Sequence, residues 1–84
     1  MVSPPEEFDI DVEQREGVVV VRPKGDLDIA TTPLLDEILR DLASKSASAV
    51  LDLEEVEFID SSGLQAILTA HAASQRDGFG LTML

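Results

Sequence analysis

Two short apolar runs, Val18 to Val21 and Ala49-Val50-Leu51-Asp52-Leu53, stand on either side of one amphipathic helical pattern, and this arrangement constrains the fold more than any other feature. A helix between two strands is a crossover of the length that parallel pairing needs, whereas a tight turn joins only antiparallel neighbours. The helix opens at Thr31-Thr32-Pro33, with hydroxyls to cap and proline at the first helical position. Leu34, Leu35, Ile38, Leu39 and Leu42 follow at helical spacing as one apolar stripe. Asp36 and Glu37 are expected near the positive end of its dipole, and Arg40 and Lys45 near the negative end.

Phe8-Asp9-Ile10-Asp11-Val12-Glu13 alternates with period two, the pattern of a strand with one buried and one wet face. Gln14-Arg15-Glu16-Gly17 supplies a turn, so the first two strands read as a hairpin whose β-branched second strand is covered on both faces. Pro23 has no N–H to give, and Arg22-Pro23-Lys24-Gly25 is expected to end regular pairing. The acidic stretch from Asp52 to Asp60 reads as a solvated loop. Leu64, Ile67, Leu68, His71 and Ala72 or Gln75 recur at helical spacing up to Arg76-Asp77-Gly78, where Gly78 suits a left-handed cap. Phe79 to Leu84 begins another parallel strand. The expected order is ββαβαβ: one α/β domain over residues 1–84, a mixed sheet with a parallel core and helices packed on it, and a flexible N-terminus over residues 1–7.

The totals remove several classes of function. Seventeen acidic against six basic residues give a net charge of −11. Such a surface repels nucleic acid and anionic lipid, and a protein with a basic face is the better partner. Without cysteine there is no disulfide and no thiol chemistry. Met1 to Glu7 has neither a basic region nor an apolar run, and no stretch approaches the roughly 20 apolar residues of a membrane helix. A cytosolic domain without direct membrane insertion is expected.

The chemistry concentrates at Phe58-Ile59-Asp60-Ser61-Ser62-Gly63-Leu64, where a strand turns into a helix. The free N–H groups and the dipole of a helix start favour a phosphate, so Ser61 or Ser62 could carry one. The bland reading is that both serines are caps, and Ser62 fits that role better. Gly63 allows another backbone to approach closely, or is simply a small residue in a crowded turn. His71 invites a hydrolase reading with Ser61, but ten helical residues at about 1.5 Å each separate them by roughly 15 Å. A nucleophile and its base must meet at about 3 Å. His71 therefore reads as a hydrogen-bonded ring on or beside the apolar stripe. A single His and scattered acids lack metal-ligand spacing, and no glycine-rich phosphate loop is present, so no cofactor is implied.

Set beside Gly25-Asp26-Leu27-Asp28, the run Asp60-Ser61-Ser62-Gly63-Leu64 resembles the two motifs of the STAS family, the fold of sulfate transporter tails and anti-sigma-factor antagonists. The resemblance runs from about Phe8 to Leu84. In the antagonists, the serine after the aspartate, here Ser61, is phosphorylated by an anti-sigma factor that is itself a serine kinase, and a PP2C-type phosphatase reverses the mark. The unphosphorylated form binds the anti-sigma factor. The resemblance thus implies a regulatory binding protein rather than an enzyme, with Asp28, Asp60, Ser61, Ser62, Gly63 and Leu64 at the partner face. Asp28 would orient or discriminate the partner, or else be an ordinary loop carboxylate. The alternative is a STAS subunit that regulates a lipid or anion transporter by docking, without phosphorylation. The resemblance also implies a further C-terminal helix that this sequence does not contain. Apolar surface around Val50, Leu53 and Phe79 to Leu84 is then expected to drive association, as a homodimer or through a swapped element.

Overall fold

The computed structural model describes residues 8–45, 47–77 and 80–84; the expected flexible segment over 1–7, the cap at Gly78 and the strand start at Phe79 lie outside them. The chain folds as β1 (Asp9–Arg15), β2 (Val18–Leu27), α1 (Thr32–Ser44), β3 (Ser48–Leu51), β4 (Val56–Ile59), α2 (Ser61–Asp77) and β5 (Leu81–Met83). The strands form a mixed sheet in the order β1-β2-β3-β5, with β4 pairing to the far end of β2. The hairpin β1–β2 is antiparallel and every other pairing is parallel. Glu16 and Gly17 make the tight turn, both with positive φ (48° and 83°), the backbone hand that matches strand twist.

The α/β order holds with one strand added. β4 lies within the acidic stretch read as a solvated loop, and it pairs with Gly25, Asp26 and Leu27. The expected end of pairing at Pro23 is also corrected, since β2 runs through it to Leu27. The Val21 carbonyl accepts from Asp52 N–H and the Gly25 N–H donates to the Glu55 carbonyl, so odd-numbered residues of β2 address the β3/β4 side. Pro23 falls between them, where β3 has ended and β4 has not begun. The missing N–H faces this fork, which acts as a local edge inside a central strand. Gly25, with φ of 108°, takes up the register shift that starts the β4 pairing.

Both helices cover one face. Val21, Pro23, Gly25, Leu27, Ala49 and Leu51 are buried there, and Phe8, Leu35, Leu39, Leu42 and Ile67 complete the core. The expectation that Val18 to Val21 are covered on both faces is met only at Val21, and Val18, Val19 and Val20 are half-buried. The other face carries ion pairs: Lys24 with Asp11 (2.9 Å), and Arg22 with Asp52 (3.1 Å) and Glu55 (4.0 Å). Asp52, far from being solvated, is buried. Its carboxyl is held below the usual range first by the Glu54 N–H and then by the Arg22 guanidinium.

Two details of α1 differ from expectation. Its first turn holds no acid and its last turn no base; Asp36 and Asp41 instead pair with Arg40 and Lys45 at i,i+4, both at 2.9 Å. The surface expected to be apolar around the sheet edge is half-buried at Val50, Leu53, Leu81 and Met83, and exposed at Leu84.

Candidate functional site

The corner is built by β2 and β4 ending side by side. Leu27 pairs with Ile59, and the Asp60 N–H donates to the Leu27 carbonyl at 3.0 Å, so the chain leaves the sheet at a fixed point. Asp60 then caps α2: its carboxylate accepts from the Gly63 N–H at 3.0 Å and its carbonyl from the Leu64 N–H at 3.0 Å. The cap is therefore Asp60, and the capping role expected of Ser62 is corrected; Ser62 is half-buried in the first turn. Ser61 is the first helical residue and is exposed. Gly63 is the packing point, since a Cβ built on it would lie 2.9 Å from both the Cβ and the carbonyl oxygen of Leu27 and 3.1 Å from Ile59 Cγ2. No side chain fits there, so glycine alone lets the helix start sit against β2.

Asp28, one residue beyond Leu27, is bound into the turn that enters α1. Its Oδ1 accepts from the N–H of Ala30 (2.9 Å) and Thr31 (3.1 Å), and its carbonyl from Thr32 N–H (2.9 Å). This geometry is that of the loop carboxylate, which leaves one carboxylate oxygen for other contacts. Thr31 occupies the cap position of α1, but its hydroxyl serves the loop instead: it donates to the Asp26 carbonyl at 2.6 Å and accepts from the Asp28 N–H at 3.0 Å. Thr32 is 8% exposed, and its hydroxyl oxygen has no hydrogen-bond partner.

Along α2 the inward side is not the one read from periodicity. Gly63, Ile67 and Ser74 are buried, with Ala70 half-buried between them. Leu64 is 51% and Leu68 54% exposed, and His71 is exposed with no hydrogen bond to its ring among the described residues. At about 100° per residue, Ser61, Leu64, Leu68, Ala72 and Gln75 lie along one outward stripe. Ile29, beside Asp28, is 79% exposed. Sequence reasoning missed Ile29 and Leu68 as surface groups. For Leu68 the signal was residues 61–75, a stretch without a single charged residue in a chain that is 27% charged.

Because α2 is one continuous helix from Ser61 to Asp77, Ser61 and His71 stay about 15 Å apart along its axis and cannot act as a nucleophile and base. Away from the corner, a groove of about 330 Å³ runs between α1 and α2, floored by Leu39, Ala43, Ala70 and Ala73. Asp36, Arg40 and Arg76 line it as well, and it shares no residue with the corner. Among the described residues, no helix is long and apolar enough to cross a membrane.

This geometry agrees with what the chain is similar to. It is 29% identical over 76 residues to the anti-sigma-B factor antagonist of Bacillus subtilis, covering 90% of this chain and 70% of that protein. To the anti-sigma-F factor antagonist RsfB of Mycobacterium tuberculosis it is 30% identical over 82 residues, 95% of this chain and 67% of the other. The crystal structure of an anti-sigma factor antagonist from Mycobacterium paratuberculosis superposes with a TM-score of 0.81 at 29% identity, over 98% of this chain and 70% of that one. The STAS domain family model matches residues 9–84, and the chain belongs to that family.

Proposed function

We propose that this protein is an anti-sigma-factor antagonist. Unphosphorylated, it binds an anti-sigma factor through the Ser61 corner and so frees a sigma factor for transcription; phosphorylation of Ser61 by that partner, acting as a serine kinase, releases it. The observation that carries the reading is that Ser61 is an exposed residue at the first position of a helix whose cap, Asp60, is already fixed by its own hydrogen bonds. A kinase can reach this residue without unfolding anything. A phosphate there adds about 1.5 to 2 negative charges beside the Asp60 carboxylate, while the helix dipole and first-turn N–H groups partly offset the repulsion. The fold is retained and the surface changes. Asp28, Asp60, Ser62, Gly63 and Leu64 shape the face around Ser61, a PP2C-type phosphatase resets it, and the cytoplasm is where such a protein works. Self-association that covers the β5 edge accompanies this reading, and a strictly monomeric species in light scattering at high concentration would remove that part.

Titration calorimetry against the anti-sigma factor encoded in the same genome tests the proposal. Binding is expected for the unmodified protein and for Ser61→Ala, and is expected to be lost on phosphorylation. Recovery of transporter subunits and no kinase in a pull-down would instead support docking to a transporter.

A further inference from the structure

We infer that two copies of this chain join through the outer edge of β5, in an antiparallel pairing centred on Thr82 that makes one continuous sheet and sets the two α2 helices side by side. This goes beyond the antagonist reading and rests only on the self-association stated with it.

The hydrogen-bond ladder fixes the register. Gly80 and Leu84 turn their backbone groups to β3: the Gly80 carbonyl accepts from the Ala49 N–H at 2.7 Å, and the Leu84 N–H donates to the Leu51 carbonyl at 2.9 Å. With period two, Thr82 also faces β3. The N–H and carbonyl of Leu81 and of Met83 therefore point outward, where no strand pairs among the described residues. A second copy running antiparallel, with its Met83 opposite Leu81, satisfies all of these groups at once. Leucine then meets methionine on the helix side, and Thr82 meets its own counterpart on the open side.

The helices agree with this joint. Because α1 leads from β2 to β3 and α2 from β4 to β5, α2 lies on the β5 side of α1. Thr69, Ala70, Ala73 and Arg76 line the groove toward α1, and Gly63, Ile67 and Ser74 are buried against the sheet. Leu68, His71 and Gln75, all exposed, are left on the side that overlooks the edge. Across the two-fold axis each α2, lying over the gap between β3 and β5, stands two strand spacings from its copy, or about 10 Å, a distance at which helices pack.

Charge selects the occupant. Two chains of −11 approach with least repulsion where no charge lies, and neither residues 61–75 nor residues 80–84 hold an acid or a base. The opposite edge, β1, carries Asp9, Asp11 and Glu13 and repels its own copy. A charged strand of another protein finds no countercharge on β5, whereas a second β5 matches it on both faces.

Sedimentation equilibrium of the full chain tests the joint, comparing wild type with Thr82→Lys, Thr82→Glu and an equimolar mixture of the two. Thr82 is exposed, so both variants are expected to keep the wild-type far-ultraviolet dichroism. Wild type is expected to dimerise, and more tightly as NaCl rises from about 50 to about 500 mM, because salt screens the repulsion outside the joint. Each variant alone sets like charges opposite each other and is expected to weaken the dimer about fivefold, while the mixture pairs opposite charges and is expected to recover that loss. A wild type that stays monomeric at high concentration and about 500 mM NaCl would overturn the joint together with the self-association. Dimer affinity unchanged in both variants would overturn the joint and leave self-association standing, and a mixture no tighter than either variant alone would overturn the two-fold register. All of these outcomes leave the antagonist reading to the calorimetry against the anti-sigma factor.

Discussion

Thr32 and Gly63 show how single atoms decide whether a substitution helps or harms. The Thr32 hydroxyl is buried without a partner, so it bears a desolvation cost with nothing to offset it. Thr32→Val keeps the shape and removes that oxygen; urea unfolding is expected to show unchanged stability or a gain of up to about 1 kcal/mol. A clear loss would mean that the oxygen is satisfied. Gly63→Ala tests the opposite situation. Alanine gains about 1 kcal/mol in helix propensity, but its Cβ would meet the backbone oxygen and Cβ of Leu27 at 2.9 Å, atoms of a buried strand that cannot turn aside. The overlap is expected to win, with a net loss of about 1–3 kcal/mol in the same assay. The corner was legible at this scale because it is local: an acid, two hydroxyls and a glycine at a helix start carry their own hydrogen-bonding logic. What local logic missed was that Asp60 leaves Ser62 nothing to cap.

Elements were harder to read where neighbours, not the chain itself, set the outcome. β4 escaped notice because it is four residues long, includes Glu57, and exists only through its pairing with the end of β2. Pro23 signalled a stop because a proline needs an edge, and the fork between β3 and β4 supplies one within a central strand. On α2, large apolar side chains suggested the buried face, yet close packing at Gly63 put small residues inward and left Leu64 and Leu68 outside. The segment Asp52 to Glu55 joins β3 to β4 and is clasped by Arg22 and Lys24. Since the folded Asp52 carboxyl titrates lower than in the unfolded chain, its contribution is present above the unfolded value of about 3.9 and lost as pH falls through the folded one. Asp52→Asn is therefore expected to melt below wild type at neutral pH and to converge with it in acid below about pH 4. A gap constant across pH would contradict the clasp.

For the whole molecule, seventeen acids and six bases set repulsion against a handful of exposed ion pairs. Each such pair contributes about 0–1 kcal/mol at most, so screening should remove more repulsion than attraction. The melting temperature is expected to rise with added NaCl, and a fall would show that the charge clasp on the open face dominates. That same acidic field leaves one large uncharged stretch, on α2, with Ser61 at its head. The most direct measurement is site-resolved mass spectrometry of the protein after incubation with the anti-sigma kinase of the same genome and ATP. A single phosphate on Ser61, absent from Ser61→Ala, is the predicted result; phosphate on another residue, or equal incorporation into the alanine variant, would contradict the account.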